Sequence, residues 1–288
     1  MKQLILIALL IFVGGLVLLM STHNKKPTIE STWMWNTSTL IEEAERYREF
    51  MMEKGVSKLY VQIDPSIEVK KYQLFIQEAS VNGIDIYAMD GAKDWVYSSN
   101  ELIEKLAWLD SYQQLSNEQS RFKGLLLDVE PYLLEEWNDE KTSLLEGYQV
   151  IVEEAYNYTQ ENNLPFEVAI PFWFHELKIG GQPFLETIST FVDTYVIMSY
   201  RTDLYGENGF HALVEPNFHT LFSNEANIVL TIETETLKGE EKYISFAEKD
   251  EADMNDFIKK VNQHYKQYSQ FNGVSVHHIE SWMDVIDE

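Results

Sequence analysis

Two carboxylates end an apolar run in the middle of the chain. The run Gly124–Leu127 is uninterrupted and leads directly into Asp128 and Glu130, which predicts a strand buried on both faces. Side chains alternate along a strand, so the two acids share one face, with Cα atoms roughly 6–7 Å apart. Pro131 cannot continue a central ladder, so both acids are expected at the C-terminal tip of the strand. Paired acids at that end of a buried parallel strand are typical of catalytic sites in α/β barrels.

Two carboxylates in this position can perform acid-assisted cleavage of a glycosidic bond. The reaction needs a proton donor against the leaving oxygen and a nucleophile or base on the opposite side. We assign Glu130 as the donor, because burial and the neighbouring charge of Asp128 are expected to keep it protonated near neutral pH. The simpler alternative is an Asp128 that caps the next helix beside a solvated Glu130. That alternative does not explain why both acids face the same way.

The elements that must position these acids alternate regularly from Ser31 onward. Eight strands are predicted between longer amphipathic segments: Thr32–Trp35, Lys58–Asp64, Asp85–Asp90, Gly124–Glu130, Phe166–Phe172, Thr194–Tyr200, Asn227–Glu233 and Gly273–His278. Seven intervening helical segments and a short terminal helix over Ile279–Ile286 complete an eightfold repeat. This pattern predicts an α/β fold, the (β/α)8 or TIM barrel. No linker rich in Pro, Gly or Ser divides it, so residues 25–288 are expected to form one domain.

A barrel brings its eight strand ends together, so residues far apart in the sequence form one rim. Acids and tryptophans recur at these ends, which favours a carbohydrate site. The apolar C–H faces of sugars stack on indole rings, and carboxylates accept hydrogen bonds from hydroxyl groups. Any single tryptophan here is more typical of a core. The predicted substrate-binding residues are Trp35, Asp64, Asp90, Trp95, Trp173, Arg201, His277 and Trp282.

Charge and composition argue against several partners. The net charge of −25 at pH 7 would repel phosphates, so no nucleic acid and no anionic lipid surface is expected to bind the barrel. The sequence has no cysteine, which excludes disulfides, thiolate metal sites and a cysteine nucleophile.

The first 24 residues are expected to direct the chain to a membrane. Leu4–Met20 is apolar throughout, Lys2 precedes it, and Lys25 and Lys26 follow. About 17 apolar residues are short for a membrane span and long for the core of a signal peptide. We interpret residues 1–24 as an uncleaved signal anchor, with a cleaved signal peptide as the alternative. The barrel is then an extracytoplasmic domain at the cell membrane, or a secreted protein if the segment is cleaved.

The strand around the two acids resembles glycoside hydrolase family 18, the chitinase-like barrels. Their fourth strand ends in the pattern D-x-x-D-x-D-x-E, and Asp128-Val129-Glu130 matches its final D-x-E. Leu126 stands in place of the preceding acid. The resemblance implies that Glu130 protonates the glycosidic oxygen and that Asp128 orients an acetamido group of the substrate, whose oxygen is the nucleophile.

The sixth and eighth strands extend this resemblance. Met198-Ser199-Tyr200 is similar to the M-x-Y of family 18, with Arg201 in place of its usual aspartate, and Trp282 lies near the end of strand eight, where that family has a tryptophan. The resemblance implies that Tyr200 hydrogen-bonds to the acetamido group. The run from Ser31 to Asp287 also looks like the uncharacterised, chitinase-like barrels of bacterial envelopes.

A second resemblance leads to a different mechanism. Val129-Glu130-Pro131 is similar to the N-E-P motif of the large clan of retaining barrel glycosidases, with Val129 in place of the asparagine. The nucleophile of that clan is a glutamate that ends strand seven, and Glu233 occupies this place. This resemblance implies Glu130 as acid/base with Glu233 as nucleophile.

Neither a metal ion nor another cofactor is expected to take part. His175, His277, His278 and Asp90 are the residue types of a zinc deacetylase site. Adjacent residues of a strand face opposite ways, however, so His277 and His278 are not expected to bind one ion, and no H-x-x-H spacing occurs.

The sequence therefore predicts an exported glycosidase that acts on an amino-sugar-containing polysaccharide or oligosaccharide of the cell envelope. The alternative from another class is a catalytically inactive barrel that binds glycan or serves as a scaffold. The missing acid at Leu126 favours this alternative.

Overall fold

The protein forms a closed parallel barrel. The structure is a computed structural model that describes residues 29–221, 225–237 and 242–287. Each barrel strand pairs with the next along the chain, and the last pairs with the first, so the predicted eight-stranded α/β barrel is confirmed. The barrel strands are β1 (Ile29–Met34), β2 (Val56–Gln62), β3 (Asp85–Asp90), β4 (Leu125–Leu127), β5 (Phe166–Pro171), β8 (Thr194–Met198), β9 (Asn227–Glu233) and β10 (Phe271–His277), while β6 (Lys178–Ile179) and β7 (Gln182–Pro183) form a separate hairpin.

The helices alternate with the strands along the chain and turn one apolar face to the barrel. In α8, for example, Met254, Phe257, Val261 and Tyr265 are all buried, at the three- or four-residue spacing expected of such a face. The described helices are α1 (Thr37–Glu42), α2 (Ala44–Lys54), α3 (Val69–Val81), α4 (Asn100–Leu115), α5 (Lys141–Asn162), α6 (Phe184–Ile188), α7 (Phe210–Thr220), α8 (Glu251–Tyr265) and α9 (Ile279–Asp287).

Strand β4 is shorter than its sequence predicts. It ends at Leu127, which pairs with Asp90 on β3, and the backbone N–H of Asp128 then donates to the carbonyl of Asp90 at 3.1 Å. Glu130 is outside the strand and directly precedes a 3₁₀ turn over Pro131–Leu133. The paired acids therefore lie just beyond the strand, because proline offers no N–H to extend the ladder.

The barrel interior is filled by side chains and contains one buried ion pair. Lys58 Nζ lies 2.7 Å from Glu167 Oε1, and the hydroxyl of Tyr60 donates to Glu167 Oε2 at 2.5 Å. Burial raises the pKa of Glu167, an effect that the charge of Lys58 opposes. The apolar part of this interior consists of Trp33, Tyr60, Tyr87, Met89, Leu126, Ala169, Val196 and Val229.

The predicted signal anchor, residues 1–24, lies outside the described residues. Within the described part of the chain, none of the helices has both the length and the apolar character that a bilayer crossing requires.

Candidate active site

Asp128 is fixed by a close approach of two chain segments at the carboxyl end of the barrel. Besides its hydrogen bond to Asp90, its backbone lies directly against Gly91, where an added Cβ would stand 2.0 Å from the carbonyl oxygen of Asp128. Only glycine leaves room for this contact. Gly91 therefore sets the position of the first acid.

The side chain of Asp128 is set up to hold a proton. The residue is partly buried, and its Oδ1 is sealed from solvent without a hydrogen-bond partner. The pKa of Asp128 is raised to about 7, chiefly by burial and also by the charge of Glu130, while His277 opposes the shift. The sequence predicted that Glu130 would be the acid kept protonated by its neighbour. The structure instead identifies Asp128 as the acid whose pKa is raised.

Leu126 supplies no partner for this oxygen. It occupies the position two residues before Asp128 and packs in the barrel interior with Trp33 and Met89. An acid there would be able to share a proton with Asp128, whereas leucine offers no polar atom. Tyr148 on α5 is close enough that the charges of Asp128 and Glu130 raise the pKa of its hydroxyl, and burial raises it most.

Glu130 lies at the same end of the barrel beside an aromatic group. It is partly buried, and the hydroxyl of Tyr132 donates to its Oε1. The Tyr132 ring in turn packs edge-on against Trp173, with 5.2 Å between ring centroids. Trp173 therefore lies on the rim, separated from the predicted proton donor Glu130 by the side chain of Tyr132.

Tyr200 joins this group from the end of β8. Burial raises its pKa well above the ordinary value, and the charges of Glu233, Asp128 and Glu130 add to the shift. The tyrosine hydroxyl therefore remains a hydrogen-bond donor throughout the physiological pH range. The sequence-predicted set Asp128, Glu130 and Tyr200 is brought together.

A chain of hydrogen bonds crosses the rim from β1 to β9. The indole N–H of Trp35 donates to His277 Nε2 at 2.9 Å, and His277 Nδ1 lies 2.9 Å from Glu233 Oε2. Because indole can only donate, Nε2 carries no proton in this arrangement and the ring proton is on Nδ1. Burial lowers the pKa of His277, but the hydrogen bond and charge of Glu233 outweigh it and raise the pKa overall. Protonation would break the bond to Trp35.

Glu233 is bound by its surroundings on both oxygens. Its Oε1 accepts the backbone N–H groups of Thr234 and Glu235, both at 2.7 Å, and its Oε2 is bound to His277. The residue is only 3% exposed. A carboxylate with three hydrogen bonds and little exposure is better suited to orienting His277 than to attacking a sugar carbon.

Two predicted tryptophan platforms belong to the core instead. Trp95 is 2% exposed, and its indole N–H donates to Glu101 Oε2 at 2.9 Å. Trp282 is 1% exposed and packs edge-on against Phe50, with 4.9 Å between ring centroids. Neither ring can meet a sugar, so both assignments are corrected. A large apolar side chain near a strand end gains more by filling the layer between barrel and helices than by facing water.

Two predicted polar contacts are occupied by local structure. Asp90 is 5% exposed, its Oδ2 lies 2.6 Å from Lys105 Nζ, and its Oδ1 accepts the N–H of Gly91. Asp64 accepts the backbone N–H of Ser66 at 2.9 Å, and this turn lowers its pKa. Both carboxylates stabilise the loops behind the rim rather than point to a ligand.

Arg201 forms part of the rim but is held by neighbouring groups. Its guanidinium donates to the carbonyls of Tyr200 and Asn208, at 2.6 Å and 3.1 Å, and lies between the rings of Phe172 and Tyr243. It lines a surface cavity of about 430 Å³ together with Tyr243. Arg201 is thus a cation with a structural role in this loop.

Sequence reasoning missed two groups at the site. Tyr132 follows Glu130 by two residues, and this spacing was a local signal that its hydroxyl could reach the acid. Tyr148 lies in a helix, and nothing in a helical repeat shows which hydroxyl faces a carboxylate. Among the described residues, the group of side chains whose spacing fits a metal ion is His211, Glu215 and His264, on the helices outside the barrel.

Comparison with known proteins agrees with the barrel. No protein-family model and no curated protein matches the sequence. Among solved structures, a glycoside hydrolase family 18 chitinase from Cycas revoluta shares 13% identity at a TM-score of 0.56, over 89% of this chain and 96% of the chitinase. A chitinase from Bacteroides thetaiotaomicron shares 12% identity at 0.54, over 88% and 90%, and one from Chromobacterium violaceum ATCC 12472 shares 12% at 0.50, over 90% and 98%.

At these low identities, the structural similarity establishes a common fold and nothing finer. The closed eight-stranded barrel of this chain is that of the chitinase-like (β/α)8 proteins, as the residues around Asp128 and Glu130 indicated.

Proposed function

We propose that the protein is a glycoside hydrolase that cleaves an amino-sugar-containing polysaccharide of the cell envelope. The observation that carries the proposal is the convergence of Asp128, Glu130 and Tyr200 at the carboxyl end of the barrel, with a raised pKa on one of the two acids. Paired carboxylates whose protonation differs are the requirement of glycosidic cleavage.

In the proposed reaction, the pair Asp128 and Glu130 holds one proton, which Glu130 donates to the leaving glycosidic oxygen as the C1–O bond breaks, so that Asp128 is then ionised. The acetamido oxygen of the same sugar attacks C1 and forms a cyclic oxazolinium intermediate. Glu130 then removes a proton from water, which opens the ring at C1 and restores the acetamido group. The cycle begins and ends with one proton on this pair of acids and consumes one water.

Asp128 and Tyr200 would orient the acetamido group. When ionised, the unpartnered Oδ1 of Asp128 can accept the amide N–H, which turns the amide oxygen toward C1. The hydroxyl of Tyr200, which stays protonated because its pKa is raised, can donate to that oxygen. The partly exposed rings of Trp35 and Trp173 are available for stacking on sugars.

The retaining pair of Glu130 and Glu233 receives less support. Both oxygens of Glu233 are already bound by Thr234, Glu235 and His277. The two mechanisms differ in the substrate they need, because only substrate assistance requires the N-acetyl group. We expect cleavage of N-acetylated oligosaccharides and none of the same oligosaccharides after de-N-acetylation. Equal rates on both would favour the retaining pair.

Oligosaccharide binding is part of the proposal. Cycas revoluta chitinases that share the fold were solved in complex with (GlcNAc)4 and (GlcNAc)3. We extend this ligand class, chains of N-acetylated amino sugars, to the present rim. We also propose that residues 1–24 place the barrel outside the cytoplasm, where such a polymer is found.

The replacement Glu130→Gln tests the proposed function. It preserves the shape of the side chain and removes the proton, so we expect the rate of release of reducing ends from N-acetylated glycans to fall about 10²–10⁴-fold. Glu135→Gln, an exposed glutamate in the following turn, is the matched control and should retain full activity. Unchanged hydrolysis by the Glu130→Gln variant would sink the assignment.

A catalytically inactive, glycan-binding barrel is the second candidate. It is favoured by Leu126, which removes an acid from the motif, and by the hydrogen bond that Tyr132 already makes to Glu130. This candidate predicts retention of N-acetylated glycans by wild type and Glu130→Gln alike, with no released product in either case.

A further inference from the structure

Three potential metal ligands meet on the outer surface of the barrel, between two helices. His211 and Glu215 are four residues apart on α7 and therefore share one face of that helix. His264 approaches them from α8. One ligand atom from each of the three residues lies within 4.8 Å of the others.

Two contacts of these side chains are compatible with metal binding. Nδ1 of His211 lies 3.0 Å from the hydroxyl of Tyr265, which leaves Nε2 of His211 free for an ion. Metal-bound histidines commonly have such a polar partner on the second ring nitrogen, because it fixes the ring and its tautomer. Nε2 of His264 lies 3.1 Å from Glu215 Oε1, a spacing that two ligands of one tetrahedral ion can adopt.

The two imidazoles are packed face to face rather than spread apart. Their ring centroids are 4.1 Å apart, with 29° between the ring planes. Two protonated rings would repel each other at this distance. This packing therefore favours the neutral imidazoles that bind metals. A divalent ion would also neutralise part of the acidic surface of a chain with net charge −25.

We propose that His211, Glu215 and His264 form a binding site for a divalent transition-metal ion, with zinc as the best fit. Two imidazole nitrogens and one carboxylate oxygen are a common ligand set for Zn²⁺, and a water molecule would complete the tetrahedron. The site is independent of the proposed glycosidase reaction.

The bound ion would connect two helices beside a loop that leads to the catalytic face. His211 and His264 are on neighbouring helices, and the ring of Tyr205 packs on His211 with 5.4 Å between centroids. Tyr205 belongs to the segment that runs from Arg201 at the rim to the start of α7. A zinc ion would therefore cross-link α8 to the beginning of α7, where this loop ends.

Calorimetric titration of the full, tag-free chain with zinc chloride after chelator treatment tests the site. We expect one ion per chain and a rise in Tm of roughly 5 °C when free zinc is about 100 times the Kd. Magnesium should give neither effect, because it prefers oxygen ligands. The cobalt(II)-loaded protein should show the visible absorption of a tetrahedral site.

Variants separate this site from surface binding. His264→Gln should abolish stoichiometric zinc binding, and Tyr265→Phe should weaken it about 10–100-fold, because the partner of the His211 ring is lost. His219→Gln, an exposed histidine on the same helix, is the matched control and should bind as wild type does. If His264→Gln does not fold, the partly exposed Glu215→Gln replaces it. A wild type without stoichiometric zinc binding, or equal binding by the ligand variant and His219→Gln, would overturn the proposal.

Discussion

The unpartnered acid at the centre of the site should lower the stability of the protein at neutral pH. Burial raises the pKa of Asp128 from 3.8 to about 7, so the folded chain holds a proton that the unfolded chain releases. Stability is therefore lost as the pH rises through this interval, and the loss is complete above it. Asp128→Asn, which resembles the protonated acid, should remove this dependence.

The magnitude follows from the width of the interval. From 3.8 to about 7, at ~1.36 kcal/mol per pH unit, the full effect is about 4 kcal/mol. Asp128 is partly exposed, and solvent screens its charge, so we expect about 2–4 kcal/mol. The free energy of unfolding of Asp128→Asn, relative to that of wild type, should thus rise by this amount between about pH 4 and about pH 8. Its hydrolytic activity should be lost at the same time, as is common where an active site is kept at a cost in stability.

Urea unfolding followed by tryptophan fluorescence measures this difference at each pH. Asp94→Asn is the matched control, because Asp94 is exposed on the neighbouring turn, and its effect should stay within about 0.5 kcal/mol at every pH. If the free-energy difference between Asp128→Asn and wild type is the same in acid and in base, then Asp128 does not hold a proton in the folded state, and the reasoning about its unpartnered oxygen fails.

Two further predictions concern the barrel interior and the rim. Lys58→Met leaves Glu167, which is 2% exposed, without its cation, and should lower the free energy of unfolding in urea by about 3–5 kcal/mol. Adding Glu167→Leu should recover most of this loss. A neutral effect of Lys58→Met alone would contradict the ion pair. Trp173→Ala in the Glu130→Gln background should weaken calorimetric binding of N-acetylated oligosaccharides about 3–10-fold. Trp95→Ala is the control and should lower the free energy of unfolding by about 3–5 kcal/mol, because that ring is in the core. Unchanged glycan binding by Trp173→Ala would exclude Trp173 as a stacking platform.

The sequence by itself determined the barrel and the place of its two acids. Apolar stretches at regular spacing leave few arrangements that bury them all, and Pro131 ends the strand so that Asp128 and Glu130 lie at its carboxyl end. The end of β4 was predicted three residues too late, because backbone pairing stops where the proline turn begins.

Only the tertiary structure decided which residues face the ligand and which acid holds the proton. A tryptophan near a strand end can lie on the rim, as Trp173 does, or in the helix–barrel layer, as Trp282 does, and the difference depends on neighbours from other segments. The hydrogen bond from Trp35 to His277 joins residues 242 positions apart. The pKa of Asp128 depends on its burial and on the lack of a hydrogen-bond partner for its Oδ1. Neither can be read from the spacing of the residues, because both result from how the whole chain packs.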